Sequence, residues 1–452
     1  MKGLVCGVRQ YDWGKVGRDS MVALLKDGTK DFDLKTDEPY AELWMGTHKN
    51  CPSALQEEAA GSSSSSSLIS LHECLRQRPE WLGKCLPRLW PEAKESGELP
   101  FLFKVLSIRK ALSIQAHPDK ELARELHAEK GEHYPDANYK PEMMIAATEC
   151  EALCGFRPVE ELKRLLPQAP ELCQLIGQSH VDAFLKGLED AKEDDEHHKT
   201  LLQPLFAQLM RCANEQKSVA EGLAALSQRR ASQEGAGGDE LVSTVEDLAL
   251  RLNDQFPGGD VGCFVCYLLN FVRLQSGQAL FLGPNEPHAY LSGDLIECMA
   301  ASDNTVRAGL TPKFKDVETL VRMLTYRCGV PAFVPTTSTI DSAAGLSITT
   351  YAPPVEEFQV SRIVVQSSSE WGVVPACDSP GLWLVYEGNG VAMAEGEDKA
   401  LKRGETYFLP AGRTVHLRGE STQQEDEVVR PLVIWKASLN CERVEAALAS
   451  SS

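Results

Sequence analysis

Hydrophobic and polar positions follow three successive patterns along the chain. Residues 102–108 and 111–117 are apolar or alternate between apolar and polar, which predicts two β-strands. Between residues 158 and 257 leucines recur at helical spacing, most clearly in 160–166, 201–210 and 241–252. From about residue 340, short apolar runs alternate with Gly, Pro and Asn turns, which is typical of an antiparallel jelly roll or barrel. The sequence therefore predicts a helical region between two β-rich regions.

Local signals refine these boundaries. Asp119 predicts the N-cap of a helix that continues through Leu126 and Glu129, and Asp316 predicts the cap of a second helix before residues 317–324. After the Pro257-Gly-Gly turn, the apolar run predicts helix to about Arg273, where β character returns.

Composition and charge narrow the classes of function. Hydrophobic residues make up 43% and charged residues 25%, as in ordinary globular proteins, and 452 residues predict two or three domains. The net charge of −19 argues against binding of nucleic acid, so an anionic substrate requires a local basic cluster. The fourteen cysteines are scattered through apolar runs, which predicts buried free thiols in a reducing cytoplasm. No apolar run approaches the roughly 20 residues of a membrane span.

A polar face on the second predicted strand suggests a metal site. Ser113, Gln115 and His117 alternate with apolar residues, so their side chains point one way, although a solvated outer face gives the same pattern. Glu142 follows the stiff Pro141 and offers a carboxylate. Two histidines, a carboxylate and an amide oxygen suit a divalent metal such as zinc, acting as a Lewis acid.

His288, the second of these histidines, lies in a segment similar to the second metal-binding motif of cupin barrels. Asn285 stands where that motif has a glycine, and asparagine tolerates a positive φ better than other non-glycine residues. In the C-terminal region a comparable segment has His416 one position late, which in a strand is the opposite face. We therefore predict that the C-terminal β-region is metal-free.

Glu297 and Arg307 are the polar residues that stand out after His288. A glutamate in an apolar strand is costly unless it is paired or functional, and Arg307 is followed by Ala308 and Gly309, small residues that let a ligand approach. The alternative is a structural ion pair between Glu297 and Arg307.

Long motifs in two parts of the chain, roughly residues 1–160 and 255–325, resemble type I mannose-6-phosphate isomerase (phosphomannose isomerase). They are Tyr11-Asp-Trp-Gly14, Glu42-Leu-Trp-Met-Gly-Thr-His48, Ser113-Ile-Gln-Ala-His-Pro-Asp-Lys120, Lys140-Pro-Glu-Met143, Cys154-Gly-Phe-Arg-Pro158, Pro287-His-Ala-Tyr290 and residues 297–314. Two positions depart from the family. The family usually has His where this chain has Tyr139, and it favours Pro where this chain has Lys49, from which no chemical consequence is expected. If that histidine helps to open the sugar ring, the group that opens it here is not identified.

The resemblance implies a zinc enzyme, with one zinc per chain, that interconverts mannose 6-phosphate and fructose 6-phosphate through a cis-enediol and feeds GDP-mannose synthesis. It implies a mixed α+β fold, with a cupin-type catalytic domain (1–157 and 258–330), a helical insertion (158–257) and a C-terminal jelly roll (331–452). A cytoplasmic monomer is expected. The implied zinc ligands are Gln115, His117, Glu142 and His288; the implied catalytic arginine is Arg307; the implied substrate contacts are Ser113, Lys104, Lys313 and Tyr290.

Two questions stay open at this level. The base that removes the C2 proton is either Glu297 or Lys140, whose alternative roles are ion pairing and phosphate binding. A cupin oxygenase would also use two histidines and a carboxylate around ferrous iron, but Gln115 and the Arg/Lys cluster argue against it. A non-catalytic sugar-binding protein would keep the pocket and lose ligands, and no ligand is missing from the sequence.

Overall fold

The computed structural model describes residues 1–29, 32–57, 67–189, 194–233, 238–367, 369–420 and 430–450. The fold is mixed α/β. The described residues among 1–157 form eleven strands, with short helices between them. The strands are β1 (Lys2–Val5), β2 (Gly7–Arg9), β3 (Lys15–Val16), β4 (Pro39–Tyr40), β5 (Glu42–Met45), β6 (Ala54–Glu57), β7 (Ser67–Ser70), β8 (Phe101–Ile108), β9 (Ile114–Ala116), β10 (Glu142–Ala146) and β11 (Cys150–Phe156). The helices are α1 (Met21–Lys26), α2 (Leu71–Gln77), α3 (Leu86–Leu89), α4 (Ala93–Ser96) and α5 (Lys120–Lys130).

A helical insertion follows β11, and the chain then returns to the β-structure. Its helices are α6 (Val159–Leu165), α7 (Pro170–Ile176), α8 (Gln178–Gly187), α9 (Asp195–Arg211), α10 (Gln216–Ser232), α11 (Glu240–Gln255) and α12 (Gly262–Val265). The elements after it are β12 (Leu269–Leu274), β13 (Ala279–Leu282), β14 (His288–Ala300), β15 (Val306–Gly309) and α13 (Val317–Met323). None of the helices in the described ranges is long and apolar enough to span a bilayer.

The C-terminal region is β-rich and ends in a helix. Its elements are β16 (Thr336–Asp341), β17 (Leu346–Tyr351), β18 (Gln359–Val365), β19 (Gly372–Val374), β20 (Gly381–Glu387), β21 (Gly390–Ala394), β22 (Glu397–Leu401), β23 (Thr406–Leu409), β24 (Val415–Gly419), β25 (Leu432–Ser438) and α14 (Cys441–Ser450).

Two large antiparallel sheets organise the described strands. One has the order β16-β17-β18-β25-β20-β23-β1-β6-β7, so strands from the start of the chain complete a sheet of the C-terminal region. The other has the order β12-β11-β14-β8-β5-β2, with β10 between β13 and β14, and β9 between β14 and β15. The pairings among the described residues do not close into a barrel, so barrel closure stays a prediction.

The helical insertion packs behind the strands that carry the predicted site. Ile114 and Ala116 of β9 and Val306 of β15 share one buried cluster with leucines of α6, α9 and α11. Gln115, between the two buried residues of β9, is only half-buried. Within β9 itself, residues 114–116 therefore alternate as predicted, whereas Leu112 packs against a different cluster from Ile114 and Ala116.

Most local predictions agree with the structure, and one is wrong. Asp119 caps α5 by accepting from the N–H groups of Glu121 and Leu122, and Asp316 caps α13 by accepting from Thr319 N–H. The helix predicted to reach Arg273 ends at Val265, and β12 begins at Leu269. Residues 261–269 are all buried, so their apolar run has no period that separates helix from strand.

Candidate active site

Three of the four predicted metal ligands lie at the ends of strands. Glu142 begins β10, His288 begins β14, and His117 directly follows β9. Asn285, in the turn that leads to His288, has φ = 63°, as expected for a residue that replaces glycine. Its N–H donates to the carbonyl of His117 at 2.8 Å, so the turn fixes both histidines relative to each other.

His117, Glu142 and His288 converge in the interior, and all three are buried. His117 Nε2 lies 3.3 Å from Glu142 Oε1, and His288 Nε2 lies 3.4 Å from Glu142 Oε2. Neither Nε2 atom has a hydrogen-bond partner among the described residues. Two buried ring nitrogens without partners, facing one carboxylate, are what a divalent cation requires.

The backbone fixes which nitrogen of each ring faces the carboxylate. His117 Nδ1 lies 2.7 Å from the carbonyl oxygen of Asn304, and His288 Nδ1 lies 3.0 Å from that of Glu286. A carbonyl only accepts, so each Nδ1 carries a proton, and Nε2 is the nitrogen of each ring that is placed to bind a metal. Burial, assisted by Lys140, lowers the pKa of His117 to about 4, which keeps that ring neutral.

Glu142 is held in its ionised form by Lys140 and by the histidines around it. Burial alone would raise its pKa, but Lys140 and then His117 outweigh burial and hold the pKa of Glu142 well below its usual range. Lys140 Nζ lies 2.9 Å from Glu142 Oε1, and Tyr290 donates from its hydroxyl to Glu142 Oε2 at 3.4 Å. An ionised carboxylate beside two imidazole Nε2 atoms is a donor set that fits zinc.

Gln115 joins this group through strand pairing. Its backbone pairs with His288 of β14 on one side and with Arg307 of β15 on the other. Directly opposed residues in a sheet project to the same face. The amide of Gln115 therefore lies on the face that carries His288 and Arg307.

Glu297 forms an ion pair with a residue other than the one the sequence suggests. Lys104 Nζ lies 2.8 Å from Glu297 Oε2, because β8 and β14 pair these two residues in register. The alternative of a Glu297–Arg307 ion pair is therefore wrong. Burial raises the pKa of Glu297 even though Lys104 opposes the shift. For Lys104, burial acts against the charged form, but Glu297 and Glu42 outweigh it and raise the pKa.

Sequence reasoning missed two residues of this network. Trp44 donates from Nε1 to Glu42 Oε2 at 2.6 Å, and Lys104 Nζ lies 4.9 Å from the centre of the Trp44 ring. Both residues belong to the motif 42–48. The signal in the sequence was a glutamate in an apolar segment, two positions before a tryptophan whose N–H could pair with it.

The remaining predicted residues lie on or near strands β9 and β15. Arg307 is half-buried on β15, and its guanidinium has no hydrogen bond or salt bridge with any described residue; burial lowers its pKa. Ser113 directly precedes β9, two positions before Gln115, and is half-buried. Lys313 is exposed in the segment between β15 and α13, so its amine is available to a ligand from solvent.

Tyr139, at the position where the resembled family usually has histidine, is tied to the C-terminal region. Its hydroxyl donates to the buried Glu357 Oε2 at 2.7 Å, and Lys120 Nζ lies 4.4 Å from its ring centre and 3.8 Å from Glu357 Oε1. Burial, and then the charge of Glu357, raises the pKa of Tyr139, so the hydroxyl keeps its proton. Tyr139 therefore links the backbone directly before Lys140 to Glu357 in the C-terminal region.

Comparison with known proteins identifies the family of the chain. A family model described as the catalytic domain of type I phosphomannose isomerase matches residues 1–159, and one described as the helical insertion domain of the same family matches residues 175–269. The mannose-6-phosphate isomerase of Bos taurus is 43% identical over 423 residues, which cover 92% of this chain and 94% of the relative. That of Candida albicans is 39% identical and covers 93% and 96%. The chain belongs to the type I phosphomannose isomerase family.

Solved structures of phosphomannose isomerases share the fold over nearly the whole chain. A single-residue mutant of the enzyme from Salmonella typhimurium has a TM-score of 0.73 at 26% identity and covers 97% of this chain and 99% of its own. A mannose 6-phosphate isomerase bound with zinc and yttrium has a TM-score of 0.71 at 27% identity, with the same coverage. As a member of the phosphomannose isomerase family, this chain is an isomerase enzyme with a candidate metal site at His117, Glu142 and His288.

Proposed function

We propose that the chain interconverts mannose 6-phosphate and fructose 6-phosphate through a cis-enediol, with one zinc ion held by Gln115, His117, Glu142 and His288. The observation that supports this most is the pair of buried Nε2 atoms without partners that face the ionised Glu142. Bound zinc supplies a Lewis acid for an oxygen of the sugar.

The reaction moves a proton between C2 and C1, and the protein must supply the base. Glu297 is the better candidate of the two, because it is a carboxylate whose buried setting raises its pKa and so makes it more basic. Lys140 Nζ instead lies 2.9 Å from Glu142 Oε1, in an ion pair with a predicted metal ligand. We therefore propose that Glu297 removes the proton from C2 and that Lys140 orients the carboxylate of Glu142.

Negative charge that develops on the sugar oxygens needs a donor that is otherwise unused. Arg307 meets this requirement, since its guanidinium has no ionic partner in the part of the chain that the structure describes and shares a face with Gln115. Ser113, Lys104, Lys313 and Tyr290 are proposed as substrate contacts. Of these, the exposed Lys313 is the one suited to capture a phosphate from solvent.

The proposal also covers the domain organisation, the location and the oligomeric state of the chain. We infer a cupin-type catalytic domain of residues 1–157 and 258–330, a helical insertion of 158–257 and a C-terminal jelly roll of 331–452. The pairing of β10 with both β13 and β14 supports a cupin-type arrangement of the strands. The same proposal includes a cytoplasmic monomer that does not bind nucleic acid and that feeds GDP-mannose synthesis.

An assay of fructose 6-phosphate formation from mannose 6-phosphate tests the function directly. The purified chain should be active, should lose activity on chelation, and should regain it with about one equivalent of zinc. His288→Ala and Glu142→Ala should lose both bound zinc and activity while circular dichroism is unchanged. Full zinc occupancy in either variant would remove that residue from the site, and oxygen uptake with ferrous iron instead of isomerisation would indicate an oxygenase.

A further inference from the structure

Three thiols meet where α14 packs on the body of the protein. Cys377 lies between β19 and β20, Cys441 is the first residue of α14, and Cys85 directly precedes α3. The Sγ atoms of Cys377 and Cys441 are 3.7 Å apart, and Cys85 lies within hydrogen-bonding reach of Cys441. None of the three has a role in the proposed isomerisation.

The backbone on both sides of the Cys377–Cys441 pair is fixed. Leu439 N–H donates to Ser379 Oγ at 3.0 Å, a hydrogen bond two residues from each cysteine. The carbonyl of Cys377 accepts from Gly412 N–H at 2.8 Å, and Val444 anchors α14 in the core. The two sulfurs are therefore held in contact, and a side-chain rotation can close the gap to the S–S distance of about 2.0 Å.

The pair can be reached by a small oxidant. Cys377 and Cys441 are each half-buried, whereas the neighbours of Cys377, Ala376 and Asp378, are exposed. The hydrogen bond with Cys441 lowers the pKa of Cys377 to about 6 against the effect of burial, with further help from Lys436 on β25. The thiolate is the nucleophile in thiol oxidation, so Cys377 is the more reactive of the two sulfurs.

We propose that Cys377 and Cys441 form a redox-active pair that hydrogen peroxide converts into a disulfide, linking α14 to the segment between β19 and β20. The Cys377 thiolate attacks one peroxide oxygen, which breaks the O–O bond, forms a sulfenic acid and, after protonation, releases one water. The Cys441 sulfur then attacks the Cys377 sulfur, the S–O bond breaks, and a second water leaves. In total, two thiols and one peroxide give one disulfide and two waters.

Mass spectrometry of the zinc-loaded, full-length protein tests this pairing. The protein is treated with a small excess of hydrogen peroxide, free thiols are alkylated, and the chain is digested without reductant. We expect one cross-linked peptide that contains Cys377 and Cys441, a loss of two alkylatable thiols per chain, and reversal by dithiothreitol. Closing a loop whose ends are 64 residues apart should also raise the midpoint of thermal unfolding relative to the reduced protein.

Serine variants provide the matched controls. Cys377→Ser and Cys441→Ser should each abolish the cross-link and the rise in unfolding midpoint, and Cys377→Ser should also slow the first oxidation step. Cys328→Ser should keep both effects, because Cys328 is similarly half-buried but its thiol donates to the carbonyl of Tyr326 and not to another thiol. A cross-link between Cys85 and Cys441 in the unmutated protein, a second zinc retained by these thiols, or no cross-link with peroxide would each overturn the proposal.

Discussion

Arg307 is a half-buried cation without an ionic partner among the described residues, in a chain of net charge −19. We expect Arg307→Ala to lower kcat by about 10²–10³-fold with little change in KM, because the interaction strengthens only as charge develops on the substrate. Arg307→Lys should recover part of the loss, since an ammonium group cannot reproduce the planar fork. Steady-state kinetics with mannose 6-phosphate measure both constants.

Arg322 is the matched control for this experiment, because it is an exposed arginine on the nearby α13. Arg322→Ala should leave both constants near those of the unmutated enzyme. If Arg307→Ala instead raised KM and kept kcat, Arg307 would bind the phosphate. Unchanged kinetics with a lower melting temperature would make it structural, and either result would contradict the catalytic role.

Tyr139 and Glu357 are a buried donor and acceptor that connect the segment before Lys140 to the C-terminal region. Tyr139→Phe leaves the Glu357 carboxylate buried without this donor, so the free energy of unfolding should fall by about 1–3 kcal/mol. Denaturant titration measures the fall. In a double-mutant cycle with Glu357→Gln the two losses should be clearly non-additive, and additive losses would show that the contact does not stabilise the protein.

At the level of single elements, β24 allows a test of whether His416, whose face of the strand is opposite to the buried one, binds metal. Val415 and Leu417 are fully buried, and His416 between them is half-buried, on the opposite face. His416→Ala should therefore leave zinc content and turnover near wild type, while Val415→Ala should cost about 2 kcal/mol or more of stability. Metal analysis and thermal unfolding distinguish the two effects. A metal equivalent lost with His416 would contradict the prediction of a metal-free C-terminal region.

The elements that could be predicted from sequence are those with strong local signals. Asp119 and Asp316 cap helices because a short acidic side chain before a helix satisfies free N–H groups. Asn285 takes the positive φ that its place in the motif requires. The run 261–269 was misassigned because a fully buried segment has no polar positions to show its period.

The ion pairs of the site could not be predicted in the same way. Lys104 and Glu297 meet because β8 and β14 pair in one particular register, and sequence spacing contains no information about that register. Tyr139 and Glu357 likewise come from distant parts of the chain. By contrast, His117, Glu142 and His288 could be proposed together because each lies in a motif of its own.

At the scale of the whole molecule, the predicted domain boundaries do not coincide with the sheets. β1 pairs with β23 on one side and with β6 on the other, so the N-terminal strands are internal to the sheet of the C-terminal region. A fragment of residues 331–452 would leave the edge of β23 unpaired, and we expect it to aggregate or remain unfolded. Size-exclusion chromatography and circular dichroism test this, and a monomeric, folded fragment would contradict it.

Zinc should also stabilise the whole molecule, because a ligand that binds the native state shifts the folding equilibrium by mass action. The chelated protein should melt at a lower temperature than the zinc-loaded protein, by scanning calorimetry. In Glu142→Ala the difference between chelated and zinc-loaded samples should vanish, whereas in His416→Ala it should persist. Equal melting temperatures for both forms of the unmutated protein would argue against tight binding.

The position of β10 has a consequence for how the enzyme gains and loses metal. Glu142 pairs with Leu282 of β13 along one edge and with Met299 of β14 along the other, whereas β9 is only three residues long. Amide hydrogens of 142–146 should therefore exchange with deuterium only when the protein unfolds globally, and those of 114–116 should exchange through smaller openings. The carboxylate of Glu142 would then stay in place in the apoenzyme. Metal would enter and leave when β9, the strand that carries Gln115, moves.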